Sequence, residues 1–218
     1  PIMLQNDANA CALAEWQLGA GKGCRNMIFL TFGTGLGAGL ILNGELYSGT
    51  NGMAGEAGHI RLAEDGPVGY GKEGSFEGFC SGGGIAQLGQ VMAEEALDRE
   101  EIPSFCQSKG ELFKVNARTI AEAAEKGDPL ALKIYDIVAD RLGQGLAILV
   151  DLLNPEKIVI GSIFLRQEKL LRPRMEKILN KEALDQSLSV VEVLPAGLGE
   201  KLGDYAAVSV GLRAYQKK

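Results

Sequence analysis

The feature that most constrains the fold is a run of glycines at every second position between two apolar segments, in the sequence IFLTFGTGLGAGLILNGELY. Residues 28–32 have the composition of a short buried strand, and residues 40–42 and 45–47 resemble two more. Asn43-Gly44 separates the last two, and this dipeptide favours a type I′ turn because both residues tolerate positive φ angles. The sequence therefore predicts a strand, a glycine turn, a second strand and a hairpin to a third.

The glycine turn has two readings that the spacing leaves open. Its glycines are Gly33, Gly35, Gly37 and Gly39, with Thr34 between the first two. Glycines leave backbone N–H groups uncovered, so that a phosphate can approach closely. The spacing fits neither the dinucleotide fingerprint nor the P-loop, since Lys22 in GAGKG lacks the upstream glycine and the following hydroxyl residue. A tight structural turn and a phosphate site are both consistent with this pattern.

Composition excludes several classes of protein. The chain has 218 residues, 46% hydrophobic and 23% charged, with a net charge of −6, which is ordinary for a globular protein and argues against a nucleic-acid partner. No apolar run reaches the ~18 residues of a membrane span, and we expect no signal peptide. The four scattered cysteines predict free thiols in a reducing cytoplasm. The apolar start at Pro1, without an initiator methionine, predicts that an N-terminal portion precedes it.

The order of predicted elements favours an α/β fold. Strands are predicted at residues 1–4, 157–160 and 188–194, and residues 48–80 read as loop and short strand. Helices are predicted at residues 8–18, 81–98, 116–126, 128–153, 165–181 and 203–215. Strands and helices alternate after residue 115, and this alternation is typical of α/β proteins.

Three candidate positions have both a structural and a functional reading. Asn6 or Asp7 caps the first helix, or places a carboxylate at the end of a strand, where α/β proteins bind ligands. His59, the only histidine, is a structural residue or a ligand, and Glu56 three residues before it favours a ligand. Glu77 is a solvated loop charge or part of the same site.

Six motifs occur in chain order: NDAN, TFGTGLGAGLILNGELYSG, GEAGH, GYGKEGSFE, NPEKIVIGS and GDYAAVSVG. In combination, from about residue 5 to residue 211, they resemble the ROK family of sugar kinases and related repressors, within the actin-like ATPase group. The resemblance implies an α/β, ribonuclease-H-like domain with a mixed sheet flanked by helices and a glycine-rich insertion that carries GEAGH. It places residues 1–20 at the end of an N-terminal lobe and hinge, and residues 21–218 in the C-terminal lobe.

The resemblance also implies an ATP-dependent kinase that acts on a hexose or amino-hexose. Asp7 is then the catalytic base, which takes a proton from the sugar hydroxyl as that oxygen attacks the γ-phosphorus. Mg²⁺ would bridge the ATP phosphates. The implied sugar-binding residues are Asn6, Glu56, His59 and Glu77, and the implied ATP-binding residues are Gly33, Thr34, Gly35, Gly161 and Ser162.

The sequence departs from the family pattern in three respects. The family commonly holds zinc with His59 and three cysteines, but Val68, Tyr70 and Ser75 stand at the cysteine positions, so we predict no structural zinc and no other metal site. We expect packing of Tyr70 and Phe76 to hold that loop instead. The adenosine loop reads Gly161-Ser162 where Gly-Gly is usual. The N-terminal domain with its Asp-x-Gly-Gly-Thr phosphate loop is absent from the chain, which should then bind ATP poorly.

Alternative functions remain within the same family. A sugar-sensing transcriptional repressor would keep the sugar-binding residues and carry a DNA-binding segment upstream, and a catalytically silent member would have lost activity along with the zinc ligands. Retention of Asp7 and the phosphate hairpin favours the kinase. We further predict a cytoplasmic homodimer, from the broad apolar faces of the long helices, with no membrane partner.

Overall fold

The computed structural model describes residues 5–216, so the predicted strand at residues 1–4 lies outside the described part. The strands of its main sheet are β1 (Met27–Leu30), β2 (Ala38–Leu42), β3 (Glu45–Tyr47), β6 (Lys157–Ile160) and β7 (Glu192–Pro195). Their order across the sheet is β3-β2-β1-β6-β7. β1 pairs antiparallel with β2 and parallel with β6, while β2–β3 is antiparallel and β6–β7 parallel. A separate hairpin consists of β4 (Val68–Gly69) and β5 (Lys72–Glu73).

Eight α-helices and three 3-10 helices complete the elements within residues 5–216, the latter at Ala57–His59, Lys109–Lys114 and Gly199–Lys201. The α-helices are α1 (Asp7–Leu18), α2 (Phe76–Phe79), α3 (Gly82–Asp98), α4 (Ala117–Glu125), α5 (Pro129–Leu153), α6 (Ile163–Glu182), α7 (Asp185–Leu188) and α8 (Leu202–Gln216). The predicted mixed sheet with flanking helices is thereby confirmed. The prediction of a strand at residues 188–194 is wrong at its start, because α7 occupies the first of them and β7 starts at Glu192. Residues 48–80, predicted as loop and short strand, also contain the short helix α2.

The chain divides into two compact units. The first comprises the residues up to Ala57, Leu149–Arg166 and the residues from Ala183 onward, and it contains the five-stranded sheet with α1 and α8. Both faces of β1 are buried, since Met27 and Phe29 on one face and Ile28 and Leu30 on the other are at most 1% exposed. The first face packs with Leu13 of α1 and Val210 of α8 in one apolar core.

The second unit comprises Gly58–Ile148 and Gln167–Glu182. Its glycines allow close packing around α5: a side chain at Gly145 would collide with the ring of buried Phe76, and one at Gly143 with Ile178 of α6. Arg141 lies over the ring of Phe79, with its guanidinium carbon 4.9 Å from the ring centroid. The end of the glycine-rich stretch before α3, at Phe76 and Phe79, is therefore packed within this unit.

Candidate active site

The first helix begins with the two residues of the Asn-Asp motif. Asn6 is the N-cap, and its Oδ1 accepts hydrogen bonds from the backbone N–H groups of Ala8 and Asn9 at 2.9 and 3.3 Å. Asp7 Oδ1 accepts from the N–H of Ala8 at 2.8 Å. Both side chains are nevertheless exposed. The capping interpretation is confirmed for Asn6, and Asp7 remains accessible to a ligand at the helix N-terminus.

The four glycines of the turn serve two different purposes. Gly37 and Gly39 lie under α1: a Cβ atom at Gly37 would be 3.5 Å from the Cβ of Ala8, and one at Gly39 would be 2.5 Å from the Cβ of Ala12. The absence of a side chain at Gly39 lets the helix rest on the start of β2, and Gly37 lies within ordinary contact distance of the same helix. Because Ala8 follows Asp7, the same contact brings Asp7 to the end of the glycine turn.

Gly33 and Gly35 form the turn proper between β1 and β2. The N–H of Gly33 donates to the carbonyl oxygen of Gly35 at 3.0 Å and to that of Thr31 at 2.8 Å. Thr31 fixes the base of the turn, since its Oγ1 accepts from the N–H of Gly37 at 2.9 Å. Thr34 at the tip is exposed. The Gly33 amide is thus engaged within the turn, and Thr34 and Gly35 present the outer part of its backbone.

The loop after β6 lies beside this turn. Ser162 adopts a positive φ of 56°, an uncommon conformation for a residue with a side chain. The N–H of Ile163 donates to the carbonyl oxygen of Phe32 at 2.7 Å, so the two loops are in contact. They leave the carboxyl ends of neighbouring parallel strands, where Leu30 pairs with Ile160. Ligands of open α/β sheets bind at this edge.

Glu56 is attached to the same strand as the glycine turn. Gly55 has a φ of 96°. Its carbonyl oxygen accepts hydrogen bonds from the N–H groups of Ala38 at 2.8 Å and Ala57 at 2.7 Å. A side chain at Gly55 would collide with the backbone of Ala38. Glu56 is therefore held next to the first residue of β2, with its side chain exposed. The first unit thus contains Asn6, Asp7, Glu56 and the two loops.

The remaining predicted sugar-binding residues belong to the second unit. His59 ends the 3-10 turn Ala57–His59 and is exposed. Glu77 lies in α2, one residue after buried Phe76, and is half-buried. The backbone segments that carry His59 and Glu77 are hydrogen-bonded to each other, because the N–H of Phe76 donates to the carbonyl oxygen of Ile60 at 2.8 Å.

Of the three residues at the family's cysteine positions, Val68 and Tyr70 lie in the β4–β5 hairpin, and Ser75 follows it as the N-cap of α2. Hydrogen bonds fasten this segment. The side-chain amide of Gln87, from α3, pairs with both backbone groups of Val68 at 3.0 and 2.9 Å. Buried Ser75 accepts from the N–H of Gly78 at 3.0 Å and donates to the carbonyl oxygen of Gly69 at 3.4 Å. Of the two aromatic residues expected to hold this loop by packing, Phe76 is buried as predicted, but Tyr70 is 87% exposed, so the prediction is wrong for Tyr70.

The residues at the three cysteine positions do not fit a zinc ion. Val68 has no ligand atom, the hydroxyl of Ser75 is engaged in the two hydrogen bonds above, and Tyr70 points its bulk into solvent. Within residues 5–216, no group of three or more His, Cys, Asp or Glu side chains could hold a metal ion. Zinc ions in proteins are normally held by three or four such ligands.

The cysteines are free thiols, as predicted, and none has the character of a nucleophile. Cys11 in α1 is the nearest in sequence to Asp7, and burial raises its pKa to about 11, with further contributions from the charges of Asp7 and Glu15. Burial likewise raises the pKa of Cys80 well above its usual value. Reactive cysteines instead have lowered pKa values.

Sequence reasoning missed three residues that position the site. Glu15 is fully buried in α1 and accepts N–H groups from Ala20 and from the segment after β7. Thr31 pins the glycine turn, and Gln87 holds the β4–β5 hairpin. The single charged residue in the run ANACALAEWQL was the only signal in the sequence, and it pointed to Glu15 alone.

Comparison with known proteins identifies the family. The model of the ROK family matches residues 1–210. The glucokinase of Halalkalibacterium halodurans is 36% identical over 206 residues, covering 93% of this chain and 61% of that protein. The DNA-binding transcriptional dual regulator NagC of Escherichia coli K12 is 32% identical over 208 residues, covering 93% of this chain and 48% of that protein.

A solved structure supports the same assignment. The ROK family glucokinase of Streptomyces griseus, in complex with glucose and AMPPNP, matches with a TM-score of 0.81 and 31% identity over 97% of this chain and 68% of that one. The chain spans about three fifths of the length of the curated glucokinases that it matches. No helix within residues 5–216 combines the length and apolar character needed to cross a membrane. On the match to its family model and to these relatives, the chain belongs to the ROK family.

Proposed function

We propose that this chain is the larger part of an ATP-dependent hexose kinase in which Asp7 is the general base. The observation that carries the proposal is the packing of α1 on Gly37 and Gly39, which brings Asp7 to the end of the glycine turn. A kinase needs its base next to the phosphate to be transferred, because the sugar oxygen must lose its proton while it attacks the γ-phosphorus.

The two abutting loops at the carboxyl edge of the sheet suit a nucleotide. We assign the phosphate contact to Thr34 and Gly35, since the Gly33 amide is engaged within the turn. The loop of Gly161 and Ser162 would lie against the adenosine. Glycine at position 161 fits against the core of the sheet, because a Cβ atom there would be 3.2 Å from the ring of buried Phe29.

ATP would supply the phosphoryl group, and Mg²⁺ would neutralise charge on its phosphates. Within residues 5–216 no cluster of acidic side chains offers a metal cage, which fits an ion bound mainly through the nucleotide. Asp7 is an exposed carboxylate that can accept a proton at its Oδ2, while its Oδ1 accepts from the N–H of Ala8. That hydrogen bond fixes the direction in which the base faces.

The proposed sugar ligands are Asn6, Glu56, His59 and Glu77. Amide, carboxylate and imidazole groups share hydrogen bonds with vicinal hydroxyls and so discriminate between stereoisomers. Glucose is the first substrate to test, because the relatives named glucokinases are 36% and 34% identical to this chain. A boundary near residue 20 between the lobes, a homodimer and a cytoplasmic location complete the proposal.

The test is ATP-dependent turnover by the complete polypeptide, including any residues encoded before Pro1. Glucose, mannose, fructose and N-acetylglucosamine form the panel, and release of ADP is measured. Asp7→Asn should lower kcat about 10²–10⁴-fold, the usual contribution of a general base. Asp185→Asn is the matched control, since Asp185 is also an exposed first residue of a helix, and its kcat should not change.

A sugar-responsive repressor is the second candidate, favoured by the 32% identity to NagC. The two candidates give different results in the same experiment. A folded protein that binds a hexose but turns over none of the panel would refute the kinase and leave the sensor. Turnover that survives in Asp7→Asn would refute the role of Asp7.

A further inference from the structure

Tyr70 has three properties that a turn residue does not need. It is a large aromatic side chain that is 87% exposed, at the tip of the β4–β5 hairpin. Its φ is 44° and that of Gly71 is 74°, so the two residues form a turn of the type I′ class, in which Asn or Gly is preferred at the first position. Left-handed backbone is unfavourable for a tyrosine, and such strain is often found at functional positions.

The ring of Tyr70 lies against the ring of His59. Their centroids are 6.4 Å apart and their planes are inclined by 79°, which is an edge-to-face arrangement. The same hairpin also holds the backbone of His59, because Lys72 Nζ donates to the carbonyl oxygen of His59 at 2.8 Å. Two residues of one hairpin therefore act on one histidine, one through its ring and one through its backbone.

Hydrogen bonds anchor the hairpin to neighbouring segments of the second unit, so Tyr70 and Lys72 are held in place beside His59. Gln87 holds Val68 from α3 through its two hydrogen bonds, and Ser75 ties Gly69 to the start of α2. Arg61 donates to the carbonyl oxygen of Glu73 at 2.8 Å on the other strand. Side-chain hydrogen bonds thus fasten a segment whose residues do not fit zinc.

We infer that Tyr70 is a positioning residue for His59, and that the β4–β5 hairpin orients the imidazole for hexose binding without a metal ion. The inference depends on the proposed function, in which His59 is a sugar ligand. The inference also explains why tyrosine occupies a strained turn position. The ring of Tyr70 restricts the rotation of the His59 imidazole, and this contact offsets the unfavourable backbone conformation. The side chain acts through His59 and has no part in phosphoryl transfer.

The test compares Tyr70→Asn with Tyr70→Phe in the complete polypeptide. Asn suits the turn but removes the ring, so Tyr70→Asn should have an equal or higher urea midpoint and yet bind the hexose about two- to tenfold more weakly. The loss should appear in KM, with kcat unchanged at saturating sugar. Tyr70→Phe keeps the ring and should bind within about twofold of the wild type. Titration calorimetry with the same four-sugar panel gives the affinities.

A second readout does not depend on sugar at all. His59 is the only histidine in the sequence, so its imidazole NMR signals are resolved without assignment of the other residues. In the sugar-free protein these signals should shift in Tyr70→Asn and stay close to the wild-type positions in Tyr70→Phe. Treatment with a zinc chelator should leave both the signals and the sugar affinity of the wild type unchanged.

The outcomes separate this inference from the function beneath it. If the wild type binds a sugar and Tyr70→Asn binds it equally well, the inference is overturned while the proposed function stands. A lower urea midpoint in Tyr70→Asn also overturns it, because Tyr70 would then serve the stability of the turn. If the wild type binds none of the four sugars, the proposed function and the inference both fail.

Discussion

Removing the buried carboxylate of Glu15 should destabilise the first unit strongly. Glu15 is 0% exposed, and its two oxygens accept three backbone N–H groups: Ala20 at 2.8 Å, Gly197 at 3.1 Å and Leu198 at 2.9 Å. Glu15→Ala leaves three donors of half-buried or exposed residues without their partner, and each donor that water cannot reach costs about 1–3 kcal/mol. Water that enters the vacated space recovers part of this, so we expect a loss of about 3–4 kcal/mol.

Glu15→Gln should have an intermediate effect. The amide oxygen can still accept the N–H groups of Ala20 and Gly197, but the amide nitrogen then faces the N–H of Leu198. One hydrogen bond is lost and two donors oppose each other, which costs about 1–2 kcal/mol. The expected order of stability is therefore wild type, Glu15→Gln, Glu15→Ala.

Glu156→Ala is the matched control for this experiment. Glu156 also uses its carboxylate to accept backbone N–H groups, from Arg25 at 2.7 Å and Asn26 at 2.8 Å, but it is exposed. Water can replace it there, so its loss should cost no more than about 1 kcal/mol. Urea unfolding followed by the fluorescence of Trp16, the only tryptophan, reports on α1 directly. Equal losses for Glu15→Ala and Glu156→Ala would refute the argument from burial.

Two further substitutions test the backbone strain in the loop after β6 and the electrostatics at the start of α5. Ser162→Gly should raise the free energy of unfolding by about 0.5–1 kcal/mol, because glycine adopts the φ of 56° without strain. A lower stability in urea would show that the Ser162 hydroxyl stabilises the fold by more than the backbone strain costs. Burial of Asp128 would raise its pKa, but hydrogen bonds from the N–H groups of Ala131, Ser104 and Leu130 outweigh it, so that its pKa is lowered. A lowered pKa stabilises the fold above the unfolded value of about 4, and this is lost as the pH falls further. Asp128→Ala should therefore make the free energy of unfolding less dependent on pH below about pH 4, and should lower it by about 1–2 kcal/mol at pH 7, measured beside the wild type. An unchanged pH dependence of unfolding below about pH 4 would contradict this.

The central elements could be predicted because their local signals agree with their environment. β1 and β6 are short apolar runs that are buried on both faces, and Asn43-Gly44 forms the predicted turn with φ values of 57° and 79°. Asn6 and Ser81 cap helices as their residue types suggest. β7 was placed too early because Leu188 to Leu194 alternates in sequence, whereas α7 occupies Leu188 and pairing with β6 fixes the strand at Glu192–Pro195.

The site was harder to predict where distant segments supply the contacts. The spacing of the glycines could not show that Gly37 and Gly39 serve the approach of a helix, since that depends on Ala8 and Ala12. Glu15 resembles a solvent-facing helix residue until Gly197 and Leu198 come to it from the other end of the chain. The exposure of Tyr70 likewise follows from a turn conformation that propensity disfavours.

The parallel pairing of β1 with β6 sets an order for folding during synthesis. Met27 lies opposite Lys157, and residues 58–148 between them belong to the other compact unit. A chain made from its N-terminus has β1, β2 and β3 available long before β6, whereas most of the second unit emerges as one continuous stretch. In the five-stranded sheet, one edge of β1 therefore stays unpaired until β6 has left the ribosome and can pair with it. An open strand edge favours pairing with other chains, so this interval is when the nascent protein is most exposed to aggregation.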